Sequence, residues 1–149
     1  MTHARKQLRD AVASAVTGLT STGARVFKSR NLPMGATELP ALCVYARQDT
    51  PDYDAGAFGA IVVRVLEVHV QGYAARVDSE DLDARLDAMA AEVEEAIYAD
   101  PTFGGLAHGT RMGAQVLEVD PDGDQSLGVV DMTFDVIYRT AEGAPSAAV

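Results

Sequence analysis

The chain has 149 residues, 48% of them apolar and 23% charged, near the averages for soluble globular proteins. It should therefore fold as a single domain whose core hides roughly 70% of the surface that the unfolded chain exposes. Twenty-two acidic residues against twelve basic ones give a formal charge of −10, the reverse of the basic footprint that grips nucleic acid. The longest apolar-rich run, Ala60 to Ala74, is broken by Arg64, Glu67, His69 and Gln71, so it falls short of the ~20 uninterrupted apolar residues of a spanning helix, and no membrane partner is expected.

The opening MTHARKQLRD lacks the apolar stretch of a secretory signal, so synthesis in a cytoplasm is expected. From Thr2 to Leu19, the residues Leu8, Val12, Val16 and Leu19 form one stripe of an amphipathic helix with Thr2 as its cap. Thr20 to Gly23 is a turn, and Arg25 to Arg30 a short strand carrying Val26 and Lys28 on one face. The proline-containing NLPMGATELP is a connection, and Pro40 opens a second strand in which Leu42, Val44 and Ala46 alternate with Cys43, Tyr45 and Arg47.

The turn-rich TPDYDAGAFG, Thr50 to Gly59, leads into a long strand from Ala60 to Ala74, where Leu66, Val68 and Val70 oppose Glu67, His69 and Gln71. Before Arg64 both faces of this strand are apolar, which suggests cover from both sides or from a neighbouring subunit. Ser79 to Ala99 is the clearest helix, with Leu82, Leu86, Met89, Val93 and Ile97 on one face, a cap at Asp78 or Ser79, and Asp100-Pro101 at its end. Its polar side, with Asp83, Asp87, Glu94 and Glu95, is expected to be solvated. A glycine-rich loop from Thr102 to Gly109 is expected to be flexible and precedes a strand from Thr110 to Val119. DPDGDQ makes a hairpin turn, and the last strand, Val129 to Arg139, sets Val130, Met132, Phe134, Val136 and Tyr138 against Asp131, Thr133, Asp135 and Arg139.

Strands interrupted by two helices predict an α+β fold: a mixed or antiparallel sheet of about four to six strands with both helices on one face. Residues 1–140 form the domain, and the small, polar 141–149 is expected to be a flexible tail.

Catalytic motifs are not found in the sequence. The lone Cys43 lies in an apolar run and suits core packing better than nucleophilic chemistry. His3, His69 and His108 lack metal-ligand spacing, and His69 fits a surface or interface position on a polar strand face. Asp120, Asp122 and Asp124 only loosely match a calcium loop, and Gly104-Gly105 lacks the Lys-Ser or Lys-Thr pair and the helix of a phosphate loop. The chain is therefore not expected to be an enzyme or to hold a cofactor. Asp78, Glu80 and Asp81 are weak divalent-cation candidates whose simpler role is helix capping.

In order, LRDAVASAV, PALCVYA, VLEVHV, DSEDLDARLDAM and DMTFDVIYR resemble the tail terminators of long-tailed bacteriophages, the lambda-type minor tail protein U family, over nearly the whole chain. The resemblance implies a virion subunit, assembled in a bacterial host's cytoplasm. Such subunits form a homomeric, usually six-membered ring at the head-proximal end of the tail. The ring caps the tail tube protein, ends its polymerisation and meets the head connector. Tyr53, Phe58, Ile61, Val63 and Val65 are then candidates for contact with neighbour or tube. Glu67, Asp131 and Asp135 are candidates for a lumen through which DNA passes without sequence-specific binding.

Six copies at −10 would carry about −60, a charge over which DNA slides without adhering. That charge also opposes assembly, since like charges repel unless screened, so divalent cations or higher ionic strength should favour the ring. Alternatives are another connector, stopper or tail-tube-related protein, and a small dimeric ligand-binding α+β domain.

Overall fold

The computed structural model describes residues 2–28, 39–53, 60–75, 81–119 and 127–149. Its elements are α1 (Ala4–Ala15), β1 (Val26–Phe27), β2 (Ala41–Asp52), β3 (Ile61–Ala75), α2 (Leu82–Ala99), β4 (Gly109–Val119), β5 (Leu127–Ala141) and β6 (Ala144–Ala148). The strands make one six-stranded sheet in the order β1-β2-β3-β5-β4, with β6 paired to β5. The β1–β2 pair is parallel and the other pairs are antiparallel, so the sheet is mixed and the fold is α+β.

Alternation along the two longest strands creates the core. Leu66, Val68 and Val70 of β3 stand opposite Val136, Phe134 and Met132 of β5, and all six are buried in one cluster with Leu8 and Val12 of α1 and Leu86, Met89, Val93 and Ile97 of α2. Both helices therefore cover the same sheet face. Each such side chain contributes about 1.5–3 kcal/mol by leaving water. Two glycines let α2 approach closely: a Cβ on Gly72 would lie 2.8 Å from the Met89 terminal methyl, and one on Gly128 would lie 3.0 Å from Leu82 and Leu86 carbons.

The helix ends differ from expectation by a few residues. His3, not Thr2, caps α1, its Nδ1 accepting from the Arg5 amide at 3.1 Å. Asp81 caps α2 by accepting from the Asp83 amide at 3.0 Å; the expected caps Asp78 and Ser79 lie outside the described residues. Glycine-rich residues 102–109 are tied down by Asp100, whose carboxylate accepts from the Thr102 hydroxyl at 2.8 Å and the Gly104 amide at 2.8 Å, and by Phe103, which is buried.

The expected flexible tail is a strand. After a turn at Gly143, where φ is +79°, β6 folds back on β5, the Val149 amide donates to the Arg139 carbonyl at 2.9 Å, and Gln7 of α1 donates to the Ser146 carbonyl at 2.9 Å. Small side chains make this possible, since Ala148 packs against the core without displacing α1. The domain thus extends through the segment expected to lie outside it.

The second strand is also longer than expected, running to Asp52 through an irregularity between Ala46 and Gln48. The extra residue reverses the alternation. Before it, Leu42 and Val44 face the helices; after it, Asp49 does, opposite Leu66. Only 6% of the Asp49 side chain is exposed, and it accepts from the Tyr138 hydroxyl at 2.7 Å. Arg64 Nε lies 3.6 Å away and Arg5 3.7 Å away, with the Arg64 guanidinium 5.7 Å over the Tyr138 ring. Burial first, then the bond to Asp49, pushes the Tyr138 phenol well above its usual range.

Asp49→Ala leaves both the hydroxyl and Arg64 without their carboxylate and should cost about 1–3 kcal/mol, whereas Tyr138→Phe should cost about 1 kcal/mol because the ion pairs persist. Urea denaturation measures both, and equal losses would show that the arginines contribute nothing.

Candidate functional site on the open sheet face

The sheet face turned away from the helices is built from the other half of the same alternation. Glu67, His69, Gln71 and Tyr73 of β3 stand opposite Asp135, Thr133, Asp131 and Val129 of β5, while Cys43 and Tyr45 of β2 stand opposite Gln71 and His69. Glu67, Asp131 and Asp135, read from the sequence as one group, are thus on one face.

A hydrogen-bonded row crosses this face. His69 Nδ1 lies 2.9 Å from Asp131 Oδ1 and Nε2 lies 3.0 Å from Glu67 Oε2. Arg47 donates to the same Glu67 oxygen at 3.2 Å. Gln71 donates to the Tyr45 hydroxyl at 3.0 Å and accepts from the Tyr73 hydroxyl at 2.8 Å. The Tyr45 ring stacks on His69 with centroids 5.1 Å apart.

His69 is therefore no surface residue: it is 8% exposed. The cause is the register that sets Tyr45 beside it. Both ring nitrogens face carboxylates. A neutral ring donates to only one of them and an imidazolium to both. With its nitrogens occupied and its face covered, the ring has nothing to offer a ligand and instead fixes Glu67 and Asp131. The Glu67 carboxyl is held below its usual range, first by the bond with His69 and next by that from Arg47, against an opposing contribution from burial.

Towards the start of β3 the open face carries an apolar strip, with Arg139 opposite Val63, and Arg111 of β4 stands opposite Asp135. Val63 and Val65 are half-buried, and Ile61 is 53% exposed. Ile137 stands opposite Val65. Where the apolar and acidic zones meet, a hollow of about 560 Å³ is lined by Tyr53, Val65, Glu67 and Asp135 together with the end of β2. Candidates assigned separately to subunit contact and to a lumen thus share one surface, with Asp131 further along the row. Phe58, Asp78 and Glu80 lie outside the described residues, as does the DPDGDQ turn. Asp81 serves as the α2 cap.

Among the described residues no group of three or more His, Cys, Asp or Glu side chains is placed to hold a metal ion. Cys43 is fully buried, and burial pushes its thiol up to about 11, so it stays protonated at neutral pH. The polar cluster of Asp49, Arg64 and Tyr138 escaped the sequence reading because a bulge leaves no periodic signal; the Tyr138 hydroxyl, requiring a partner inside a core, was its one trace.

Comparison with protein-family models finds no match, and comparison with curated proteins finds none either.

A carboxylate depressed in the folded state contributes stability that is complete above its unfolded value, ~4.3 for Glu, and is lost as pH falls through the folded value. Glu67→Gln should therefore make stability less steeply dependent on pH below about 4.3. Denaturant midpoints measured from pH 7 to pH 3 test this, and an acid limb identical to that of the wild type would refute the role of Glu67.

Proposed function

We propose that this chain is a structural virion subunit: one member of a six-copy ring that caps a phage tail tube, ends its polymerisation and joins the tail to the head connector. The observation that carries this reading is the open sheet face, where an apolar strip through Ile61, Val63 and Val65 runs into the carboxylates of Glu67, Asp131 and Asp135. A surface with an apolar strip beside a row of carboxylates, among which Arg47 and Arg111 stand, suits a subunit that meets protein at one end and a polyanion's path at the other. The net charge of −10 and the chain-long resemblance to tail terminators point the same way.

In the ring, Glu67, Asp131 and Asp135 face the passage and keep DNA from adhering, so the DNA is cargo rather than a bound partner. Tyr53 and the apolar strip face the tube protein or the adjacent subunit. Assembly takes place in the bacterial host's cytoplasm.

Negative-stain microscopy of the purified chain, alone and with tail tubes, should show a six-fold ring with a central hole, and phage lacking the protein should make tails of uncontrolled length. A stable dimer together with normal tails would overturn the reading in favour of a ligand-binding domain. Asp135→Lys should leave the ring intact and slow DNA ejection; unchanged ejection kinetics would remove the passage role from this carboxylate.

A further inference from the structure

Charge is segregated between the two lateral edges of the sheet. On one edge, a hollow of about 460 Å³ between the start of α1 and the bulge of β2 is lined by His3, Arg5, Lys6, Arg9 and Arg47 around Asp49. Asp49 is already engaged by Tyr138 and flanked by Arg64 and Arg5, and Arg9 has a buried Nε without a hydrogen-bond partner. Lys6 pairs with Asp10 at 2.7 Å and Arg47 with Glu67 at 3.2 Å, yet the cations here still outnumber the carboxylates that face them. Arg25, whose Nε donates to the Pro40 carbonyl at 2.7 Å, and Lys28, 3.4 Å from Asp10, continue the positive charge along β1.

The other edge is acidic. Glu94 accepts from Gln115 of β4 at 2.6 Å and the Tyr98 hydroxyl donates to the Thr110 carbonyl at 3.2 Å, which fixes one side of α2 above β4. Asp87, two helical turns before Glu94, shares that side, with Asp83 a turn earlier and Glu118 exposed on β4 itself. Arg111, a cation on this edge, stands opposite Asp135. The strand also exposes Met112, Val116, Leu117 and Val119, an apolar sheet edge of the kind that another chain covers.

The strand order places these edges on opposite sides of the molecule, at roughly 4.8 Å per strand about 20 Å apart from β1 to β4 and about 14 Å from β2 to β4, in both cases more than one Debye length at physiological salt. The charges match in height at the β1 end of the basic edge. Across the sheet Asp49 aligns with Leu66, Val136 and Thr110, and Tyr98 bonds to Thr110, so the α1 hollow is level with the last turn of α2, whereas Glu94 bonds to Gln115, opposite Met132 and further along β5. Leu42 aligns with Gly72, Val130 and Leu117, so Arg25 is level with Glu118.

We infer that these edges are the two halves of a head-to-tail contact between copies of this chain, the basic α1–β2 edge of one copy seated against the acidic α2–β4 edge of the next. The inference rests on the ring reading and supplies its interface: a contact between two different surfaces closes into a ring when each step rotates. It also reverses the salt dependence expected from the net charge. Where the facing groups attract at short range, added salt screens that attraction, so it weakens the contact instead of promoting it.

Two charge-reversed chains test this: one with Arg25→Glu and Lys28→Glu, the other with Asp87→Lys and Glu118→Lys, all at exposed positions. Circular dichroism checks that each folds, and sedimentation velocity follows assembly at low and high salt. Each variant alone should associate about tenfold or more weakly than the wild type. An equimolar mixture should recover assembly, because one variant then offers acid on both edges and the other offers base on both. Variants that assemble like the wild type would overturn the interface and leave the ring reading standing. So would a mixture as inert as its components. A wild-type chain that stays monomeric at every salt and protein concentration also overturns the interface, and the tail-length phenotype then judges the ring reading separately.

Discussion

Residue by residue, the whole of β3 is paired with β5 from Ile61 to Ala75, and this one ladder decides what each side of the molecule is. With a side-chain period of two, a slip of a single residue would turn Leu66, Val68 and Val70 to water and drive Glu67, His69 and Gln71 under the helices. Burying those charges without partners costs far more than any alternative pairing returns. The hydrophobic demand of one face thus fixes the position of every polar group on the other. Glu67, Asp131 and Asp135 form a common surface because their neighbours in sequence form the core.

The β2 bulge is the complementary device. A regular strand would have kept Asp49 on the open side, adding another carboxylate to an already acidic face. One extra residue turns it inward to the Tyr138 hydroxyl and Arg64. The cluster ties β2, β3 and β5 together beneath α1 by polar contacts where the apolar core thins. It also consumes Asp49 locally, which leaves Arg9 above it to present positive charge outward, while Lys6 pairs with Asp10 at 2.7 Å.

How much of this was legible in the sequence depends on the range of the signal. The stripe from Leu82 to Ile97 and the alternation in β3 and β5 are local, so α2, both long strands and the shared face of Glu67, Asp131 and Asp135 were readable. The stacking of Tyr45 on His69 depends on register between β2 and β3, which no local pattern specifies. Residues 144–148 were hidden for a different reason: alanines and a serine resemble a linker by composition, yet their small volume is what allows β6 to lie against α1. The bulge was unreadable because inserting one residue leaves both flanking segments individually regular.

Charge shows the same division between composition and arrangement. A total of −10 governs the long-range field of the molecule. Contacts form over distances shorter than the Debye length, where only the nearest groups count. At that range α1 with β2 is locally basic and α2 with β4 locally acidic, although the molecule as a whole is acidic. A chain built this way repels its copies at a distance in most orientations and attracts them in one. Repulsion in the wrong orientations and attraction in the right one would together favour the proposed ring over irregular aggregation, even with the apolar side chains of β4 exposed.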